Sequence, residues 1–284
     1  MIKHNVNRVK REQRKYRRKE IRRIANERIK KRLTKPIPRS VVPSFFTLMN
    51  LLSGFMAIIQ VYQGYLVYAA WLIVLAAFFD VLDGFMARLT NGSSEFGMEL
   101  DSLSDVVSFG IAPGFLIYAW LFADSTGLGL PLVAALPALC GAVRLARFNV
   151  EAREDSPGFF RGLPIPAQAM MLVSFFLTFY ERIEMFDVFK QGINVVIIPV
   201  IVILSILMVS TVPFDKIPRF KKGEMRAQRG KIFLFIGYGL TIIFLQEYGL
   251  MIVFTVFIIR AIFMSGLRFW REVMSDVESS SGQV

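Results

Sequence analysis

The sequence is poor in the residues that most often bind metals or cross-link a fold. Its 284 residues include one cysteine, Cys140, and one histidine, His4. A single cysteine excludes an internal disulfide framework, and one cysteine with one histidine excludes a zinc site built from these residue types. Any metal ion bound by this chain must therefore be held by oxygen ligands.

Charged residues are also scarce, at 20% of the chain against 54% hydrophobic residues. This composition excludes intrinsic disorder, which requires low hydrophobicity and high charge. It also exceeds the apolar content of a typical soluble domain. The excess of apolar residues therefore predicts a membrane protein.

The formal net charge of +12 is concentrated in one segment, because residues 1–39 hold 17 of the 34 Lys and Arg residues and only 3 of the 22 acids. The rest of the chain is a near-neutral body with 17 basic and 19 acidic residues. Isoleucines at near-helical spacing within this basic arm predict a helix lying on anionic lipid headgroups. The alternative is a solvated tail that only enforces orientation. Nucleic-acid binding is not expected, because the arm is attached to a membrane body and has no base-reading fold.

Apolar runs of about 20 residues, the length needed to cross roughly 30 Å of hydrocarbon, occur eight times. They lie at approximately 43–62, 66–88, 98–122, 127–149, 164–181, 190–211, 230–246 and 248–266. Basic residues concentrate in every second connection, which places both termini in the cytoplasm. The expected fold is an all-α polytopic bundle of about eight transmembrane helices in the cell membrane. Its expected divisions are a basic arm (1–39), a catalytic core of about six spans (40–222), a helical hairpin (223–267) and a polar cytoplasmic tail (268–284).

The densest group of charged residues inside these spans consists of two aspartate pairs. Asp80 and Asp83 are three residues apart and Asp101 and Asp105 are four apart, so each pair shares one helix face. The short loop between the second and third spans makes them antiparallel neighbours, so the pairs can face each other near the cytoplasmic boundary. Charges inside spans cost about 2.5–3.5 kcal/mol each on insertion scales and favour a functional interpretation. The alternative is a set of helix-end acids in interhelical salt bridges.

Four converging carboxylates must be protonated, paired with cations or bridged by metal. Oxygen-only ligation suits Mg²⁺ or Mn²⁺, and four carboxylates suit two ions about 3.5–4 Å apart, an arrangement used in phosphoryl-type displacement. Gly84 and Gly97 leave room for close approach of a ligand, and Arg88 can donate to a phosphate. These residues predict a site for a phosphorylated substrate at the end of two spans.

The segment from Asp80 to Asp105 matches the pattern D-x2-D-G-x2-A-R-x8-G-x3-D-x3-D at every position. This pattern resembles the signature of the CDP-alcohol phosphatidyltransferase family of integral membrane enzymes. The resemblance implies metal ligands at Asp80, Asp83, Asp101 and Asp105. It implies that Asp105 is also the general base. It places the nucleotide of a CDP-activated lipid among Gly84, Ala87, Arg88 and Gly97, and it implies a homodimer.

Three further segments are similar to the branch of that family that uses serine as acceptor. They are D-S-L-S-D-V-V-S-F-G-I-A-P at 101–113, G-A-V-R-L-A-R-F-N at 141–149 and G-L-P-I-P at 162–166. The resemblance implies transfer of a phosphatidyl group from CDP-diacylglycerol to the hydroxyl of L-serine, with phosphatidylserine and CMP as products. The alternatives are inositol phosphate or glycerol 3-phosphate as acceptor, and an archaeal-type ether lipid as donor. From a different class, a cation transporter would carry its carboxylates nearer the bilayer midplane.

Two smaller polar groups are secondary candidates for the site. Thr47 and Asn50 lie in P-S-F-F-T-L-M-N-L-L-S-G at 43–54, close to the family's usual P-N-x2-T-x2-N-x3-G, with Ser44 in place of the first Asn. They are expected either to contact the nucleotide or to form interhelical hydrogen bonds. At the end of the fourth span, a cluster suited to binding the serine carboxylate or a lipid phosphate consists of Arg144, Arg147 and Asn149. The alternative for that cluster is positive-inside anchoring.

Overall fold

The computed structural model describes residues 41–90, 94–153, 160–214 and 229–281, together with Arg17, Lys19 and Glu20, which are helical and exposed. The rest of the predicted basic arm and its predicted surface helix lie outside the described residues. In the described part the protein is all-helical apart from one two-residue antiparallel bridge. The predicted all-α fold is therefore confirmed.

Eight α-helices account for most of the described chain. They are α1 (Val41–Tyr62), α2 (Leu66–Thr90), α3 (Glu95–Asp105), α4 (Ala112–Ile117), α5 (Gly129–Arg153), α6 (Ile165–Phe179), α7 (Asn194–Val209) and α8 (Arg229–Ser281). A π-helical stretch, Val106–Ile111, joins α3 to α4, and a second one, Tyr118–Phe122, follows α4. Together they form one continuous helical segment, Glu95–Phe122. A 3₁₀ segment, Tyr180–Phe186, follows α6. The strands of the short bridge are β1 (Phe160–Arg161) and β2 (Pro213–Phe214).

Five helices of the described chain are long and apolar enough to cross a membrane. They are Ser44–Tyr62, Leu66–Thr90, Glu95–Phe122, Gly129–Glu151 and Tyr248–Leu267. The predicted fifth and sixth spans correspond to α6 and α7, which are shorter helices of 15 and 16 residues. The predicted seventh span coincides with the first part of α8. The polytopic membrane fold is thus confirmed, and the count of eight spans stays a prediction.

Helix α6 lies at the centre of the bundle. Twelve of its 15 residues are buried, and a helix buried on nearly all sides is expected to be apolar all round, as most of α6 is. Its far end packs Phe176 against Trp120, with ring centroids 5.1 Å apart. The core therefore forms around α6, and the helices that carry the acidic residues pack outside it.

Small residues bring Glu95–Phe122 and α5 together. A side chain on Gly110 would lie 2.9 Å from the backbone Cα of Ala138, and one on Gly114 would collide with the carbonyl oxygen of Ala134. Because residue numbers rise along one helix as they fall along the other, the two helices are antiparallel. Close contacts of this kind between small residues are typical of helices packed in membranes.

A loop contact ties the start of α6 to the end of α7. Gly162 has φ +80°, a left-handed conformation that glycine adopts without steric cost, and its N–H donates to the carbonyl of Val212 at 2.9 Å. The N–H of Leu163 donates to the carbonyl of Leu207 at 3.0 Å. These bonds hold the entry of α6 beside the last turn of α7.

The boundary between the two last predicted spans, 230–246 and 248–266, coincides with a break in α8. Helical geometry within α8 breaks at Gln246, whose φ is +46°. Just beyond it, the Arg182 guanidinium lies over the Tyr248 ring, 5.1 Å from the centroid, and further along Thr255 contacts the Met171 sulfur. The second half of α8 is therefore attached to the core through α6 and the segment that follows it.

Candidate active site

The acidic residues lie on two helices that are consecutive in the chain, α2 and α3. Ser94 caps α3, accepting a hydrogen bond from the Gly97 N–H at 3.0 Å through its hydroxyl oxygen. A hydroxyl at this position satisfies one of the free N–H groups of the first helical turn. This cap fixes where α3 begins, and hence the positions of Asp101 and Asp105 along it.

Three of the four aspartates converge. One carboxylate oxygen from each of Asp80, Asp101 and Asp105 lies within 4.8 Å of the other two. Asp105 is only 6% exposed, and Oδ1 of Asp101 is buried without a hydrogen-bond partner in the described chain. At that separation two ionised carboxylates repel by about 3–4 kcal/mol at an effective dielectric of ~20. The arrangement therefore suits a bound cation far better than three free carboxylates.

Asp83 is held differently from the other three. Its Oδ2 accepts a hydrogen bond from the Thr47 hydroxyl at 2.6 Å, while its Oδ1 is buried without a hydrogen-bond partner among the described residues. A short bond to a carboxylate is among the stronger hydrogen bonds in proteins. Helix α1 thus fixes one oxygen of Asp83 and leaves the other available to a ligand.

Helix α1 also holds Asp105. The Asn50 side-chain amide donates to Asp105 Oδ1 at 3.2 Å. Two hydroxyls then bond backbone carbonyls of α1, Ser104 to that of Thr47 at 3.1 Å and Ser108 to that of Asn50 at 2.9 Å. Thr47 and Asn50 therefore form interhelical hydrogen bonds, as one of the two interpretations expected, and their contact with a nucleotide stays a prediction.

The predicted nucleotide residues lie one turn further along α2 and at the start of α3. Arg88 is exposed, while Gly84, Ala87 and Gly97 are half-buried. A side chain added at Gly84 would meet only Arg88 Nη1, at 3.7 Å, an ordinary contact distance. Packing within the described chain thus leaves space beside Gly84, which a ligand can use.

The predicted cluster at the end of α5 divides into separate contacts. Arg147 donates to the carbonyls of Val209 at 2.8 Å and Ser210 at 3.2 Å, where α7 ends. Asn149 donates to the carboxylate of Glu99 at 3.2 Å and to the hydroxyl of Ser102 at 3.0 Å.

Arg144 is the member of the cluster that lies within reach of the acidic site. It is 6% exposed, its Nε has no hydrogen-bond partner in the part of the chain that the structure describes, and its charge interacts with that of Asp105. The structure therefore separates Arg144 from its two neighbours, which bind other helices.

One buried polar residue, Gln168, was not among the site residues predicted from the sequence. Gln168 is fully buried in the first turns of α6, and neither its amide oxygen nor its amide nitrogen has a hydrogen-bond partner in the described chain. The available signal was a polar residue inside an apolar run, which favours a functional interpretation in a membrane span.

A family model described as CDP-alcohol phosphatidyltransferase matches residues 40–211. The chain belongs to this family. The match contains all four aspartates and nearly coincides with the predicted core, 40–222. The predicted resemblance to this family is therefore confirmed.

The chain is similar in sequence to named proteins of bacteria and archaea. A CDP-diacylglycerol–serine O-phosphatidyltransferase of Helicobacter pylori is 34% identical over 217 residues, covering 76% of this chain and 87% of the relative. A protein of the same name from Methanocaldococcus jannaschii is 38% identical over 180 residues, covering 62% and 75%. An archaetidylserine synthase of Methanothermobacter thermautotrophicus is 37% identical over 179 residues, covering 62% and 70%.

Proposed function

We propose that this protein transfers a phosphatidyl group from CDP-diacylglycerol to the hydroxyl of L-serine and releases CMP. The observation that carries the proposal is the convergence of the Asp80, Asp101 and Asp105 carboxylates in a chain of this family. The names of the bacterial and archaeal relatives support serine as acceptor.

The residues present fit Mg²⁺ or Mn²⁺. The donor set consists of carboxylate oxygens, which these ions prefer, and buried oxygens of Asp83 and Asp101 have no hydrogen-bond partner in the described chain. Two ions would be held by Asp80, Asp83, Asp101 and Asp105. When bound, they would supply positive charge that stabilises the pyrophosphate and the departing CMP.

Asp105 acts as the general base in this mechanism. Asn50 donates to its Oδ1, which fixes the carboxylate and leaves Oδ2 to accept the proton of the serine hydroxyl. The serine oxygen then bonds to the β-phosphorus while the bond from that phosphorus to the CMP oxygen breaks. Burial of Asp105 keeps water away from the phosphorus and so favours transfer over hydrolysis.

The remaining residues position the two substrates. The nucleotide lies beside Gly84, Ala87, Arg88 and Gly97, and Thr47 and Asn50 hold the carboxylates next to it. Arg144 binds the serine carboxylate, because a buried guanidinium whose Nε has no partner among the described residues is suited to an anion. Arg147 and Asn149 support it by attaching α5 to α7 and α3.

The protein is proposed to act in the cell membrane, with its termini and active site on the cytoplasmic face. The basic loops support this orientation through the positive-inside rule, and the basic arm would contact anionic headgroups. A homodimer is proposed from the family resemblance.

The test offers purified protein CDP-diacylglycerol with labelled serine, inositol phosphate or glycerol 3-phosphate in turn, and measures CMP release. Of the three acceptors, only serine should support CMP release, and EDTA should abolish that activity reversibly. A parallel series with an ether-linked CDP lipid tests the donor suggested by the archaetidylserine synthase relative. CMP release with a phosphorylated acceptor but not with serine would refute the proposed acceptor.

A variant of the base tests the mechanism separately. Asp105→Asn keeps the size of the side chain and its place beside Asn50 but cannot accept the proton. It should lose turnover while still binding the CDP lipid. Turnover at the native rate would show that Asp105 is not the base.

A further inference from the structure

Gln168 is a buried amide whose hydrogen-bonding capacity is not satisfied within the described chain. Its relative exposure is 0%, and both Oε1 and Nε2 lack hydrogen-bond partners in the residues that the structure describes. Buried amides are nearly always hydrogen-bonded, because leaving one unpaired forfeits its hydration without compensation. Such a group indicates a partner other than the residues that the structure describes.

The packing of α5 on α6 relates Gln168 to Arg144 through one contact, that of Gly141 with Ile165. A side chain on Gly141 of α5 would collide with Ile165 of α6, so the two helices touch at these positions. Arg144 lies three residues beyond Gly141, and Gln168 lies three residues beyond Ile165. Residues three apart share a helix face, so both side chains lie on the faces that meet.

The directions of the helices make the two side chains converge. Helix α5 runs antiparallel to Glu95–Phe122, whereas α6 begins beside Gly141 and ends beside Trp120, the same sense as Glu95–Phe122. Helices α5 and α6 are therefore antiparallel. Side chains lean toward the N-terminus of their own helix, so Arg144 and Gln168 lean toward each other over Gly141.

Asp105 lies at the same level along the helix axes as Arg144. On one side of it Ser102 bonds Asn149, and on the other Gly110 abuts Ala138. Asp105 therefore lies opposite the part of α5 that carries Arg144, and their charges interact. We call the Asp105 carboxylate, the Arg144 guanidinium and the Gln168 amide together the acceptor pocket.

We propose that Gln168 is a specificity-determining residue that binds the amino-acid acceptor at the inner end of the acceptor pocket. An amino acid with a hydroxyl side chain presents a carboxylate, an ammonium and a hydroxyl. Arg144 binds the carboxylate, the Gln168 amide oxygen accepts from the ammonium, and Asp105 receives the hydroxyl proton. This inference rests on the proposed function, because it takes serine as the acceptor.

The acceptor pocket distinguishes one acceptor molecule from another by whether the acceptor can hydrogen-bond its unpaired polar groups. A site built to hydrogen-bond an ammonium rejects acceptors without one, because the amide then stays buried without a partner. An acceptor such as glycerol 3-phosphate lacks the ammonium and brings a second negative charge toward Asp105. Gln168 therefore favours a zwitterion over a phosphorylated alcohol.

The experiment compares Gln168→Leu with a matched control in the full-length protein. Thr178→Val serves as control, because Thr178 is on the same helix, is 2% exposed, and also has a hydroxyl without a hydrogen-bond partner among the described residues. Gln168→Leu should raise the KM for serine by about tenfold or more, the usual effect of losing one hydrogen bond to a charged group. The KM for CDP-diacylglycerol and the thermal midpoint should not change, and Thr178→Val should change neither KM.

A second variant covers the case in which Gln168→Leu fails to fold. Gln168→Asn keeps the amide on a side chain that is shorter by one methylene, so the KM for serine should rise while the protein stays folded. An unchanged KM for serine in either folded variant, or equal changes in both KM values with lower thermal stability, would overturn the inference in favour of a structural amide. Wild-type protein that does not use serine would instead refute the proposed function, so the two failures are distinguishable.

Discussion

The contact between Gly54 on α1 and Ser108, just beyond Asp105, gives a prediction whose size follows from the structure. In Gly54→Ala the new Cβ would lie 2.6 Å from Ser108 Cα and 2.8 Å from its Cβ. Because one of these atoms is backbone, no rotamer change relieves the contact. Reaching an ordinary separation of 3.4 Å requires α1 and the Val106–Ile111 stretch to move apart by about 0.8 Å.

That movement affects the Asn50–Asp105 hydrogen bond, one helical turn away. Its length is 3.2 Å, so an added separation of this size takes it beyond hydrogen-bond range. Overpacking of this kind costs about 1–3 kcal/mol of stability. A displacement of ~1 Å at a catalytic group costs up to about 100-fold in rate. We therefore expect kcat for CMP release to fall by roughly that factor and the thermal midpoint to decrease.

Gly237→Ala is the matched control. Gly237 also lies inside a helix, but a side chain there would meet no described residue within 4 Å. Because alanine is the better helix former, this control should retain activity without loss of stability. Wild-type kcat and midpoint in Gly54→Ala would refute the conclusion that close packing of α1 positions Asp105.

Three other substitutions test separate parts of the site. Gly84→Ala should raise the KM for CDP-diacylglycerol in steady-state kinetics while leaving the thermal midpoint unchanged, because its Cβ enters space that the protein does not use; an unchanged KM would place the nucleotide elsewhere. Thr47→Val removes a hydrogen bond to a buried carboxylate, worth about 1.5–3 kcal/mol, and should raise the Mn²⁺ concentration that gives half-maximal activity by about tenfold or more. Arg147→Ala frees two carbonyls at the end of α7 and should lower the free energy of unfolding by about 1–2 kcal/mol, with Arg147→Lys less affected. If Arg147→Ala raised the KM for serine without destabilising the protein, Arg147 would belong to the acceptor site.

The part of the site that could be predicted from sequence is the part set by local geometry. Helical spacing put Asp101 and Asp105 on one face, and a short loop made their helix a neighbour of the helix that carries Asp80. The structure has these three carboxylates together. No long-range information was needed, because both helices are consecutive in the chain.

The contacts that spacing could not predict join residues far apart in sequence. Arg147 bonds residues more than 60 positions away, and Thr47 bonds Asp83 across 36 positions. Periodicity shows which face of a helix is polar but not which helix it meets. For the same reason spacing could not single out Gln168, because it is related to Arg144 only through the contact of Gly141 with Ile165.

The π-helical stretch after Asp105 sets the rotation between the two ends of its helix. There the Ala112 N–H donates to the carbonyl of Val107, five residues back, and Pro113 has no N–H to donate. If the same residues formed regular α-helix instead, Asp101 and Asp105 would rotate by about 100° relative to the residues from Pro113 onward. Every side chain of the site would be present, yet the carboxylates would face away from Asp80. The wide turns of this stretch therefore help to set the direction in which the carboxylates point.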